Sequence, residues 1–135
     1  MTGENRRTAA IEALARSDEE LAAARTLGEA RLFRPAMTRV YYAAFHAARA
    51  LLFAEGLEPR THEGVQHLLN THYIRPGRME TRWNRVVARL QKFREEADYG
   101  GEFVLDESAL TEELAAAQAF CQRARELLAG MLEGL

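Results

Sequence analysis

The sequence predicts an all-α protein, an antiparallel bundle of four main helices with one short helix added. Three observations point there. Only three prolines and nine glycines interrupt 135 residues, which leaves little material for long loops. Apolar residues recur at steps of three and four along most of the chain, the period of a helix with one buried face. Breakers at Gly56, Pro76-Gly77 and Gly100-Gly101 divide the rest into helix-sized lengths. With 47% hydrophobic and 28% charged residues, the composition is that of a soluble globular protein. Residues 1–135 are expected to form a single domain, with 1–8 as a polar tail and a core that needs no disulfide or metal.

The first helix is expected over residues 9–30, with Ile11, Leu14, Leu21, Ala24 and Leu27 as its apolar stripe. Ser17 followed by Glu20 has the form of a capping box and allows a break into two helices. Residues 31–35 form a short connection, and Pro35 suits the first turn of a second helix that ends near Gly56. Within that helix the run 39–53 has no Gly or Pro and five alanines, all favourable to helix. Tyr41, Ala44, Phe45, Ala48, Leu51 and Leu52 share a core face. Arg39, Tyr42, His46, Arg49 and Phe53 fall within an arc of roughly 80° on the other side. Pro59 marks a turn, after which Thr61 is an N-cap for the short helix to about Tyr73, with Val65, Leu68, Leu69 and His72 on one side. The fourth helix is expected over 78–98 with a core seam of Met79, Trp83, Val86, Leu90, Phe93 and Ala97. Asp106 then caps a last helix over 107–133, with Leu110, Leu114, Ala117, Cys121, Ala124, Leu128 and Met131 inward.

Net charge is −2, but it is unevenly spread. Between Arg31 and Arg94 twelve basic residues face four glutamates, and seventeen of the eighteen basic residues in the chain are arginine. Arginine holds phosphate and carboxylate in a fixed fork and stacks on aromatic rings. Arg78, Arg82, Arg85, Arg89 and Lys92 form a stripe one residue behind the core seam, able to follow a phosphate backbone or to pair with acidic helices. Arg39 and His46 share a face at a spacing of seven, a pairing that could move a proton and stabilise phosphorane-like charge, or simply bond across an interface. Tyr42, Arg49 and Phe53 beside them suit an interface between copies. Arg94, Asp98 and Tyr99 close the fourth helix, where Arg94 and Asp98 can pair one turn apart. His62, His67 and His72 do not share a face, and no paired Glu-x-x-His motif accompanies them, so neither metal nor cofactor is expected. Cys121 reads as a small core residue of a reduced compartment. The N-terminus lacks the apolar stretch of a secretory signal and no run is long enough to span a bilayer, so a cytoplasmic location is expected.

Three segments together resemble the HEPN-domain family of bacteria and archaea. They are Tyr41-Tyr42-Ala43-Ala44-Phe45-His46-Ala47-Ala48-Arg49-Ala50-Leu51-Leu52, Thr61-His62, and Arg94-Glu95-Glu96-Ala97-Asp98-Tyr99-Gly100. They come in the family's order, and the likeness covers roughly residues 15–132. The resemblance implies a bundle of four main helices plus a short one, commonly a homodimer. It also implies a partner, a minimal nucleotidyltransferase, with which many such proteins form toxin–antitoxin pairs. Active members cleave RNA without metal through an Arg-x4–6-His motif on the late helices. Here Asp98-Tyr99 follows Arg94 where that histidine would stand, and no histidine occurs after His72. The expected function is a nucleotide- or RNA-binding component of such a system. The alternatives are a metal-independent ribonuclease using Arg39 and His46 or Arg94 and Tyr99, and a scaffold without ligand. The expected binding residues are Arg78, Arg82, Arg85, Arg89, Lys92 and Asp98.

Overall fold

The computed structural model describes residues 2–133; Met1, Gly134 and Leu135 of the expected domain lie outside the described residues. The described chain is all-α. Five helices follow one another: α1 (Gly3–Glu29), α2 (Phe33–Ala54), α3 (His62–Leu69), α4 (Arg82–Tyr99) and α5 (Glu107–Glu133), with a π-helical turn, Asn70–Ile74, continuing α3. Among the described residues no helix is long and apolar enough to cross a membrane.

Contacts between α1 and α2 run in opposite directions along the chain. Arg6 lies against Gly56, Ser17 against Ala43 and Glu20 against Arg39, which is antiparallel pairing. By the same reading α5 runs antiparallel to α1, through Asp18–Arg125 and Arg31–Glu107, and to α4, through Glu80–Arg123 and Arg89–Glu113. The four long helices are not equivalent. Among the described residues α2 and α5 each pack against the other three, α2 packs against α3 as well, and α1 and α4 do not touch. The cause is side-chain size. Ala36, Ala43, Ala44, Ala47, Ala48, Ala50 and Ala54 are all buried on α2, and Ala117 and Ala124 on α5 are fully buried. Small residues let α2 and α5 approach across a short diagonal, which holds α1 and α4 apart.

The first helix begins at Gly3, ahead of the expected Ala9, because the Thr2 hydroxyl accepts from the Asn5 amide (3.1 Å). It also runs unbroken through Ser17. That serine is buried and caps nothing; its hydroxyl donates to the Ala43 carbonyl of α2 (2.8 Å) and touches Cys121 Sγ (3.2 Å). Burial pushes the Cys121 thiol up to about 11, in keeping with a core residue. Ile11, expected inward, is 48% exposed, since the buried stripe of α1 runs through Ala10, Ala13, Leu14, Ser17 and Leu21.

Two later expectations also change. The π-helical turn, closed by the Arg75 amide bonding to the Asn70 carbonyl (2.9 Å), inserts an extra residue per turn. It brings Tyr73 and Ile74 to the buried side, where Leu68 and His72 were expected, and Tyr73 donates to the Leu51 carbonyl (2.7 Å). The fourth helix starts at Arg82 rather than Arg78. Residues 78–81 instead form a turn in which the Arg78 and Met79 amides both bond to the Tyr73 carbonyl. Its buried positions are Trp83, Val87 and Leu90, with Val86 only partly covered.

Helices α1 and α2 end in the same way. The Arg31 amide bonds to the Gly28 carbonyl and Leu32 to Leu27; Gly56 bonds to Phe53 and Leu57 to Leu52. This closure needs a left-handed residue just past the helix. Gly56 supplies it at φ 84°, but the equivalent residue after α1 is Arg31, at φ 63°. A side chain there is strained, and the ion pair of Arg31 with Glu107 (3.4 Å) is too exposed to compensate much. Arg31→Gly is therefore expected to stabilise the fold by about 0.5–1 kcal/mol, read as a higher urea midpoint at unchanged slope. The short diagonal makes the opposite forecast for size. Ala117→Leu should destabilise by about 1–3 kcal/mol through overpacking, whereas Ala119→Leu, on the exposed side of the same helix, should stay within about 0.5 kcal/mol in the same unfolding experiment.

Candidate functional site

Three helices bring polar residues together around one phenol. Tyr41 of α2 is 1% exposed, and its hydroxyl lies 2.7 Å from Nδ1 of His62. His62 is the first residue of α3, positioned by the Thr61 cap, whose hydroxyl accepts from the Gly64 amide (2.9 Å). Gly64 is required by that cap, because a Cβ there would sit 2.8 Å from Thr61 Oγ1. On the other side the Arg94 guanidinium of α4 lies over the Tyr41 ring, 5.6 Å from its centroid. Arg94 donates to Asp98 Oδ2 (3.2 Å), while Asp98 Oδ1 accepts from the Thr38 hydroxyl of α2 (2.8 Å). Arg34 donates to the carbonyls of Glu96 and Ala97 (3.2 and 3.3 Å), placing a cation where the helix dipole of α4 is negative. Tyr42 and Phe45 complete the aromatic wall, with Phe45 4.9 Å from the His62 ring.

Electrostatics follow from burial. Desolvation pushes the Tyr41 phenol up, against the opposing pull of Arg94, so the hydroxyl keeps its proton and can donate it to His62. Desolvation, then the Arg94 charge, pushes His62 down, which leaves it neutral at pH 7. With Tyr41 donating to Nδ1, the imidazole proton lies on Nε2. Arg94 keeps its charge, its side chain is 11% exposed, and its Nε has no partner in the protein. The site thus combines one fixed cation, one neutral imidazole and a wall of aromatic rings. Such a set can bind a phosphate and move a proton, the two operations that metal-free phosphodiester chemistry requires.

The remaining sequence candidates fall elsewhere. Arg39 is neutralised by Glu20, donating to both carboxylate oxygens (2.9 and 3.0 Å), and it stacks over Tyr42. His46 makes no hydrogen bond to it. Its ring lies parallel to Phe45, and burial with the charges of Arg49, Arg16 and Arg39 pushes it down to about 4. Arg49 lies over Phe45 and Phe53. Tyr99 is 80% exposed, beyond the polar cluster.

Four of the five residues of the basic stripe, Arg82, Arg85, Arg89 and Lys92, lie exposed on α4, and the fifth stands apart. Arg78 precedes α4, pairs with Glu55 (2.7 Å) and stacks on Tyr73 (4.3 Å). Arg89 pairs with the buried carboxylate of Glu113 (2.9 Å). Arg82, Arg85 and Lys92 stay exposed, Arg82 lying over the Trp83 ring. Asp98 is engaged by Arg94 and Thr38, which suits it to positioning Arg94 rather than to contacting an anion. Sequence reasoning alone leaves Tyr41 as a core residue and His62 as a histidine without a role. Spacing along one helix carries no information about contacts among three, and the order of the motifs is the only sequence signal that joins them. Among the described residues no three His, Cys, Asp or Glu side chains gather in a set able to hold a metal ion.

Comparison with known proteins shows the family. The HEPN domain profile matches residues 11–128. A protein of Methanocaldococcus jannaschii named "Putative toxin MJ0605" is 36% identical over 93 residues, which cover 69% of each chain. "UPF0332 protein PH1297" of Pyrococcus horikoshii is 41% identical over 64 residues, 47% of this chain and 45% of that one. "UPF0332 protein glr0978" of Gloeobacter violaceus is 36% identical over 86 residues, 64% of this chain and 68% of that one. The matched span contains all three segments that meet at Tyr41, His62 and Arg94, and it takes in most of the chain: this protein belongs to the HEPN-domain family.

Proposed function

We propose that this protein binds RNA or a nucleotide through the Tyr41–His62–Arg94 cluster, as one component of a toxin–antitoxin-like pair whose other member is a minimal nucleotidyltransferase. The observation that carries the reading is Arg94. Its guanidinium is aimed by Asp98 and the Tyr41 ring, nearly covered, and still has an unpartnered Nε. An arginine held this way retains a fork for phosphate while losing little freedom on binding. The toxin name of a relative supports the cellular context.

A second reading, metal-independent RNA cleavage, is favoured by one specific feature. The histidine absent after Arg94 in the sequence has a spatial counterpart in His62, which shares the Tyr41 ring with Arg94. In that reading His62 moves the proton and Arg94 stabilises charge on the phosphorus oxygens.

Binding of a labelled RNA oligonucleotide and of ATP, measured at several salt concentrations, tests the proposal. Arg94→Ala is expected to weaken binding about tenfold or more, as the loss of charge-assisted hydrogen bonds implies, and to lower the salt slope by about one phosphate contact. Unchanged binding in a variant that keeps its helical circular dichroism would remove Arg94 from the site. Incubation of RNA in EDTA separates the two readings. Cleavage that His62→Ala abolishes identifies the enzyme, and cleavage that survives it excludes this mechanism. Neither binding nor turnover leaves the scaffold.

A further inference from the structure

A second cationic site lies on the other side of α2. A cleft of about 360 Å³ opens between α1, the C-terminal half of α2 and the turn before α3, and none of Tyr41, His62, Arg94 or Asp98 lines it. Its volume falls within the range of about 300–1,000 Å³ common for small-ligand sites. Arg16 of α1, Arg49 of α2 and Arg60 of the turn line it, and among the described residues none of the three has an ion-pair partner. Glu12 and Glu58 are the acidic residues on its wall, so the lining carries an excess of positive charge.

Two further observations mark it as a site rather than a solvated surface. Buried polar groups are nearly always hydrogen-bonded, yet His46 Nδ1 and Arg49 Nε are both buried here without a partner in the protein. Arg49 is also held in place, its guanidinium 4.8 Å from the Phe53 ring centroid and 5.6 Å from that of Phe45. The charge of Arg16 acts on Arg49 as like on like, and the same charges with burial keep His46 neutral. A neutral imidazole beside three cations adds hydrogen-bonding capacity without further repulsion. Such a lining suits a compact anion with several acceptor oxygens.

We propose that this cleft binds a small phosphomonoester, its phosphate bridging Arg16, Arg49 and Arg60 and bonding to His46, and its organic part lying against Phe53. A phosphate dianion would accept from the guanidinium groups and cancel the mutual repulsion of the arginines. The chemistry does not depend on the Arg94 cluster, and the two sites fail or succeed separately.

Isothermal titration of the full chain at low salt with inorganic phosphate, ribose 5-phosphate, AMP and adenosine tests this. The phosphorylated ligands should bind and raise the melting temperature, adenosine should do neither, and AMP binding tighter than phosphate would identify the Phe53 wall as a contact. Arg16→Gln and Arg60→Gln, at exposed positions where folding is not at stake, should each weaken AMP binding about tenfold, and Arg49→Gln at least as much. Arg75→Gln, an exposed arginine outside both sites, should leave the affinity unchanged. Three results would overturn the proposal. They are absence of any phosphate or AMP binding at millimolar concentration, binding that Arg16→Gln and Arg60→Gln leave intact, and loss of binding on association of two copies that buries the cleft, detected by concentration-dependent light scattering.

Discussion

Close approach of α2 and α5 is the constraint on which the rest of the structure depends. Buried alanines on α2, and two fully buried alanines on α5, let these helices come together along the short diagonal of the bundle. A bundle with larger residues there would be squarer, with α1 and α4 in contact. Instead those two helices stand on opposite sides of α2. The Tyr41–His62–Arg94 cluster lies on the α4 side, and the arginine-lined cleft of Arg16, Arg49 and Arg60 on the α1 side. Two sites on one helix thus follow from the size of side chains that belong to neither.

Charge is managed by aromatic rings as well as by counter-ions. Arg39 lies on Tyr42, Arg49 on Phe45 and Phe53, Arg78 on Tyr73, Arg82 on Trp83 and Arg94 on Tyr41. Guanidinium groups are weakly hydrated and planar, so they can be stacked and partly covered at modest cost while remaining charged. Lysine could not take these places equally well. The preference for arginine therefore has a structural use, in that it lets α2 carry cations on a face that is half-buried. Acidic partners neutralise cations where helices pack, as at Arg39–Glu20 and Arg89–Glu113.

Helix identities and their order are legible in the sequence because each follows from periodicity and punctuation close by in the chain. The Gly56 and Asp106 caps, the two faces of α2 and the inward seam of α5 are of this kind. What is not legible depends on neighbours distant in sequence. Ser17 with Glu20 has the form of a helix start, yet the serine hydroxyl bonds to Ala43 on another helix, which only the folded arrangement supplies. The π-helical turn after Leu69 has no local marker, and its extra residue re-phases everything to Ile74. A helix starting at Arg82 rather than Arg78 shortens the basic stripe by one member, since Arg78 then leaves the helix and turns to Glu55. The candidate site was half visible. Arg94 and Asp98 pair locally, one turn apart, but their meeting with Tyr41 and His62 needs three helices to be placed first.

The contact of Ser17 with the Ala43 carbonyl has a mechanical consequence. It lies midway along two helices of 27 and 22 residues whose touching surfaces are mostly small and smooth. Such surfaces resist separation but offer few steps against sliding. A buried hydroxyl bonded to a single carbonyl acts as a pin: shifting α1 by one turn would strand both groups in a dry interior. The hairpin therefore has one translational setting. Information cannot pass between its two ends by helices gliding past each other, and communication between the two faces of α2 can instead travel through side-chain rotation of Tyr42 and Phe45, whose rings each adjoin both His62 and His46.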